Sequence, residues 1–143
     1  MTTTHTRAHA RTADVPSSFS GSWPCELESA VYAKRLVRDA LTAWGIGQLG
    51  ADAALVASEL AGNAIQHAGC QSFRLSIALL AQRRIRISVS DQGGALPEML
   101  RAPDEESERG RGLLIVAAIA DRWGTEVVGP DKTVWTELST ERP

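Results

Sequence analysis

The sequence predicts an α+β protein, a two-layer sandwich in which helices cover one face of a mixed, mostly antiparallel β-sheet. Three observations support this class. Apolar residues recur at helical spacing in two stretches near the start and in one later stretch, whereas the strand candidates alternate between apolar and polar residues. The resulting order is helix, helix, strand, strand, long loop, helix, strand, strand. A chain of 143 residues is also long enough for one domain with its own core.

The first predicted elements are a short strand, "SFSGSW", and two helices. Residues 26–44 have apolar positions at helical spacing; Pro24 suits the first turn of that helix and Gly45 suits its end. The second helix covers residues 51–67 and is ended by Gly69.

The remaining elements follow from alternation and from turn residues. "QSFRLSIALL" and "RRIRISVSD" both alternate, and the short connection between them predicts a hairpin. "LLIVAAIADRW" predicts an apolar helix, and "TEVVG" and "KTVWTEL" predict two last strands around a Gly-Pro-Asp turn. The stretch before the last helix is long, charged and aperiodic, which is typical of a functional or mobile loop.

Composition and sequence pattern argue against several kinds of partner and location. The formal net charge of -2 does not favour nucleic acid as a direct partner. No stretch is long and apolar enough to span a bilayer, and residues 1–18 lack the apolar core of a signal peptide. We therefore expect a disordered tail over residues 1–18, one domain over residues 19–143, no membrane partner and a cytoplasmic location. Cys25 and Cys70 do not make a disulfide framework.

Three polar residues recur at every fourth position of the second helix. At about 100° per residue, Glu59 and Asn63 lie about 40° apart, at the margin of the buried face. They form either a solvated edge or one wall of a cavity that holds an ion or a polar ligand. His67 continues the stripe, where it would cap the helix, contact a phosphate or fill the pocket wall; a structural role is favoured. A zinc site shared with Cys70 is disfavoured, because two ligands are too few.

An acidic residue ends the second predicted strand of the first hairpin. The alternation that turns Ile85, Ile87 and Val89 inward also turns Asp91 inward, where it needs a hydrogen-bond donor. That donor is either a backbone N–H in the turn or an amino group of a ligand. Gly93 follows closely and allows a backbone or a flat ligand to approach.

The segment "ERGRGLL" brings glycines to the start of an apolar helix. Gly110 and Gly112 would leave N–H groups at the positive end of the helix dipole, which is a phosphate site in many proteins. Arg109 and Arg111 add positive charge that can reach phosphate oxygens, or else they belong to a solvated lid.

Taken together, these features resemble the Bergerat-fold ATP-binding domain of gyrase and the sensor histidine kinases. The elements of the resemblance are E-x-x-x-N on a helix, D-x-G-G at a strand end, a long charged loop, and G-x-G-L opening a helix. Within that superfamily the phrases "ELAGNAIQHAG", "GRGLLIVAAIADRWG" and "KTVWTEL" are most similar to bacterial anti-sigma factor serine/threonine kinases and their small stand-alone relatives. The resemblance covers roughly residues 20–139.

The resemblance implies ATP and Mg²⁺ as cofactors and a role for each motif. Asn63 would ligate Mg²⁺, Glu59 would be the general base that polarises the attacking hydroxyl, and Asp91 would accept a hydrogen bond from the adenine amino group. Residues 96–109 would be the ATP lid. The other ATP-binding positions that it implies are Gly93, Arg109, Gly110, Arg111, Gly112 and Leu113.

Two positions depart from the pattern of the family. The last glycine of the usual D-x-G-x-G loop is replaced by Ala95. Many relatives also place a threonine against adenine in the last strand, but the inward parity of Val134 and Leu138 puts Lys132 there, with Thr133 pointing away.

Three functions are compatible with the sequence. The first is a kinase that sequesters a sigma factor and phosphorylates a serine or threonine of an anti-anti-sigma (STAS-type) partner. The second is a non-catalytic module in which nucleotide orders the lid for protein binding. The third, a detached histidine-kinase ATP-binding domain, is disfavoured because the phosphoacceptor helices are missing. Relatives of the first kind dimerise, so the sequence leaves a homodimer open, and it does not decide whether Glu59 is ever used as a base.

Overall fold

A computed structural model describes residues 15–66, 69–92 and 108–140, leaving out the side chains of residues 108–113 and 128. The described elements are β1 (Ser18–Pro24), α1 (Ser29–Trp44), a short 3-10 helix (Gly47–Leu49), α2 (Gly50–Ile65), β2 (Ser72–Ala81), β3 (Arg84–Asp91), α3 (Glu108–Ile119), β4 (Arg122–Val128) and β5 (Asp131–Ser139). Every element that the sequence predicts is present among them, but the last predicted helix ends too late, because Arg122 and Trp123 belong to β4 rather than to α3. None of these helices is long and apolar enough to cross a membrane.

The described strands form one sheet in the order β1-β2-β3-β5-β4, and each neighbouring pair is antiparallel. Two-residue turns connect β2 to β3 and β4 to β5, and Arg83 and Gly129 in these turns have positive φ angles of 69° and 59°. α1 and α2 pack on one another and on the sheet, and α3 packs against α2. The predicted α+β two-layer sandwich is confirmed, but the expected mixed sheet is wrong for the described strands, since all four of their pairs are antiparallel.

Alternating burial along the strands builds the core between the two layers. On β3 every second residue is buried, which matches the predicted inward row. On α2 the buried face is made mostly of alanines, which let the helix approach the sheet closely. The largest fully buried side chains are Phe73, Leu41, Leu60, Leu75, Ile77, Ile85, Ile87, Val37, Val56, Val116 and Thr136.

The start of α1 differs from the prediction. Pro24 is the last residue of β1 rather than part of a helical turn, and α1 begins at Ser29. The Cys25 N–H donates to the Gln71 carbonyl at 3.0 Å, so the sheet pairing continues past Pro24, and the Ser29 hydroxyl donates back to the Pro24 carbonyl at 2.8 Å. The predicted end is correct, since Gly45 adopts a left-handed φ of 74° after Trp44.

The cysteines form a disulfide that the sequence does not predict. Cys25 follows β1 and Cys70 precedes β2, and their Cα atoms lie 6.0 Å apart although 45 positions separate them in the chain. The β1–β2 ladder brings them together, because Pro24 is opposite Ser72. Disulfides are rare in reducing compartments such as the cytoplasm. The bond therefore favours an oxidising environment, whereas the sequence predicts a cytoplasmic location.

We expect this bond to stabilise the oxidised protein by about 2–4 kcal/mol, because it closes a long loop of the unfolded chain. The double variant Cys25→Ser/Cys70→Ser should lose that amount in urea unfolding under non-reducing conditions. With a reducing agent present, the variant and the wild type should unfold at nearly the same urea concentration. Equal stability of the two proteins without reductant would contradict the assignment of the bond.

The sheet face away from the helices carries a polar network around Trp135. Its indole ring lies over Gly124, where an added Cβ would approach the ring to 2.6 Å. The Arg86 guanidinium stacks on that ring at 4.3 Å and also donates to the buried Glu137 carboxylate at 2.6 Å. Among the described residues, Trp135 thus covers the outer face of the sheet.

Candidate functional site

The two described residues of the polar stripe of α2, Glu59 and Asn63, differ in burial. Asn63 is 8% exposed and belongs to the buried face of the helix, whereas Glu59, one turn earlier, is half-buried. Residues four apart on a helix lie on the same side, so the two side chains are neighbours. The helix thus presents an amide inside the fold and a carboxylate at its margin.

The last residue of β3 points into the layer between the sheet and the helices, as the parity of the strand predicts. Asp91 is buried on the same side as Ile85, Ile87 and Val89. A carboxylate in this layer requires partners, because an unpaired buried charge is costly.

A lysine of β5 provides one such partner. Lys132 lies directly opposite Asp91 in the antiparallel ladder, and its Nζ is 3.8 Å from the Asp91 Oδ1. Each of the two side chains is 4% exposed. The strand parity correctly places Lys132 inward and Thr133 outward, where the Thr133 hydroxyl is 2.8 Å from that of Ser90. The ion pair itself was not predicted, because it depends on the register between β3 and β5.

The chain path brings Asn63 and Asp91 to one end of the sandwich. Phe73 of β2 pairs with Asp91, so β2 begins at the end of the sheet where β3 finishes. Only residues 66–71 connect α2 to β2, a link of roughly 20 Å at full extension. The C-terminal end of α2, which carries Asn63, therefore lies near the end of the sheet that carries Asp91.

The position of α3 is fixed by its packing against α2 and by a contact just after its last residue. Just after α3, the Asp121 N–H donates to the Glu137 carbonyl at 2.9 Å, at the opposite end of the sheet. A helix of this length spans about 18 Å, so the start of α3 lies about that distance from this hydrogen bond.

The glycines near the start of α3 are inside the helix rather than before it. α3 begins at Glu108, so Gly110 is in its first turn and Gly112 follows one turn after the start. The first four N–H groups of a helix have no intrahelical partner, so that of Gly110 remains available and that of Gly112 does not. The structure does not describe the side chains of Arg109, Arg111 and Leu113.

Several predicted site residues fall outside the described residues. They are His67, Gly93, Ala95 and the lid up to residue 107. Within the described ranges, no group of three or more His, Cys, Asp or Glu side chains could hold a metal ion. The buried Asn63 amide nevertheless fits a magnesium ion that is carried by phosphates, since Mg²⁺ takes few protein ligands and keeps water and phosphate oxygens.

A polar cleft of about 370 Å³ lies at the strand ends of this same edge. It is lined mainly by side chains of the outer face, including Arg74, Ser90 and Thr133, with Asp91 and Gln92 at the end of β3. Of the predicted site residues that the structure describes, only Asp91 borders it. The cleft is therefore distinct from the layer that contains Asn63.

Residues 24–136 match the family model of the histidine kinase-like ATPase domain. This span covers most of the chain and includes the stripe of α2, the end of β3 and most of β5. The chain therefore belongs to the histidine kinase-like ATPase family.

One solved structure shows the same fold, that of the RsbU and RsbW domains of Rv1364c from Mycobacterium tuberculosis. It aligns with a TM-score of 0.65 at 18% sequence identity, over 90% of this chain and 34% of that one. This chain thus spans about a third of that neighbour's length. Among curated proteins no match was found.

Proposed function

We propose that this chain binds ATP with Mg²⁺ between α2, the end of β3 and the start of α3. Asn63 would ligate Mg²⁺ through its amide oxygen, and Asp91 would accept a hydrogen bond from the adenine amino group. The N–H of Gly110 and the arginines 109 and 111 would hold the phosphates, with Gly93, Gly112 and Leu113 lining the site. Mg²⁺ supplies charge neutralisation to the phosphates when it is bound.

The observation that carries this proposal is the position of a buried amide and a buried carboxylate at one end of the sandwich. Asn63 and Asp91 come from different elements, and both lie in the layer between the helices and the sheet. A carboxylate is the acceptor that the 6-amino group of adenine needs, and an amide oxygen is a ligand suited to Mg²⁺. Membership of an ATPase family supports the same assignment.

We further propose that the chain is a serine/threonine kinase of the anti-sigma factor kind. The half-buried Glu59 is accessible at the margin of the site, where it can meet a hydroxyl of a bound partner. The hydroxyl oxygen attacks the γ-phosphorus, Glu59 takes the hydroxyl proton, and the bond to the bridging oxygen breaks with release of ADP. The partners in this proposal are a sigma factor and a STAS-type anti-anti-sigma protein, and a homodimer is compatible with it.

The second candidate is a non-catalytic module whose nucleotide controls protein binding. The observation that favours it is the chain's departure from the family at Ala95 and Lys132. Such a module would bind ATP with Mg²⁺ and transfer no phosphate to any partner.

Calorimetric titration with ATP tests Mg²⁺-dependent ATP binding, which both candidate functions require. For the wild type, we expect Mg²⁺ to strengthen ATP binding, and for Asn63→Ala we expect affinity in the presence of Mg²⁺ to fall by about 10–100-fold because a metal ligand is lost. Gln66→Ala removes an exposed amide just after the same helix and should bind like the wild type. Undiminished Mg²⁺-dependent binding by Asn63→Ala would remove the main support for the proposed site.

A further inference from the structure

Lys132 is an unusual residue for the layer in which it lies. It is one of only two lysines in the chain, and its residue exposure is 3%. The other lysine, Lys34, is half-buried on α1. Since lysine is almost never fully buried unless it is paired, the position requires an explanation.

The ion pair with Asp91 explains how the charge is tolerated, but it does not use all the donors of the lysine. The ammonium group has three N–H donors on a flexible stem. Its 3.8 Å separation from the Asp91 Oδ1 is longer than an N–H···O hydrogen bond, which spans about 2.7–3.2 Å. The ammonium is therefore held beside the carboxylate, with donors that can be directed to a neighbouring acceptor.

Together the two groups present an acceptor and a donor side by side. The 6-amino group of adenine is a donor, and the adjacent ring nitrogen N1 is an acceptor. A carboxylate facing the amino group and an ammonium facing N1 would match both atoms of this edge. Hypoxanthine and guanine reverse the pattern, because they have an oxygen at position 6 and a hydrogen on N1. The Asp91 carboxylate would then face another acceptor, and the Lys132 ammonium would face another donor.

We infer that Lys132 is a base-reading residue that donates a charge-assisted hydrogen bond to N1 of adenine while Asp91 accepts one from the 6-amino group. This inference rests on the proposed ATP site and assigns the second half of its base recognition. Charge-assisted hydrogen bonds are roughly twice as strong as neutral ones, so Lys132 sets the preference for adenine over 6-oxo purines.

The test compares ATP with 1-deaza-ATP, in which a C–H group replaces N1, by calorimetry in the presence of Mg²⁺. We expect the wild type to bind 1-deaza-ATP about tenfold more weakly than ATP. Lys132→Met should bind the two nucleotides equally, with an ATP affinity close to that of the wild type for 1-deaza-ATP. Lys34→Met, the matched control, should keep the wild-type ratio.

Two results would overturn the inference alone: an unchanged ratio in Lys132→Met, or tighter ATP binding by that variant, which would show that the lysine obstructs the site. If Lys132→Met does not fold, Lys132→Arg retains the charge and a donor and should keep the preference for ATP over 1-deaza-ATP. Its equal binding of both nucleotides would count against the inference. A wild type that binds no ATP at all would instead overturn the proposed function.

Discussion

Replacing Glu59 with glutamine is expected to lower phosphate transfer to a partner serine by about 10²–10⁴-fold, the usual contribution of a general base. Glutamine has nearly the same size as glutamate but cannot take up the hydroxyl proton. The affinity for ATP should stay within about twofold, because Glu59 is at the margin of the site and no ATP contact is assigned to it. Transfer of labelled phosphate to a candidate anti-anti-sigma protein measures the first quantity, and calorimetry measures the second.

The matched control for this variant is Asp52→Asn, which neutralises an exposed carboxylate in the first turn of the same helix. It should transfer phosphate at the wild-type rate. Equal transfer by Glu59→Gln and the wild type would refute the assignment of the base. If the wild type binds ATP but transfers no phosphate to any partner, the non-catalytic module becomes the better account of the chain.

Short-range periodicity was sufficient to predict much of the fold and the orientation of the described candidate site residues. The two-residue period of a strand correctly predicted that Asp91 and Lys132 point inward, because side chains alternate strictly along a pleated strand. The period of a helix predicted Asn63 at the margin of the buried face of α2, and in the structure Asn63 is buried. In each case the position of a residue depends only on its immediate neighbours in the chain.

The features that the sequence did not predict depend on contacts between distant segments. The Lys132–Asp91 ion pair requires the register of β5 against β3, and the disulfide requires β1 to lie beside β2. Pro24 was assigned to a helix because its fixed φ angle suits a first helical turn as well as the end of an edge strand. Only the pairing of β1 with β2 decides between these two roles.

Replacing Asp91 with asparagine is expected to have two separate effects. Without the carboxylate, the affinity for ATP should fall by about 10–100-fold, because the hydrogen bond from the adenine amino group loses its charged acceptor. The variant also leaves the Lys132 ammonium buried without this counter-charge, and removing one partner of a buried pair costs about 3–5 kcal/mol. Calorimetry and urea unfolding measure the two effects independently.

The double variant Asp91→Asn/Lys132→Met separates recognition from stability. Because both charges are then absent, much of the lost free energy of unfolding should be recovered, as expected for two directly coupled residues. The affinity for ATP should remain as low as in Asp91→Asn or lower, since neither group that faces the adenine edge is restored. If ATP affinity recovered together with stability, the effect of Asp91→Asn on binding would be a consequence of weakened folding, and Asp91 would not be the adenine acceptor.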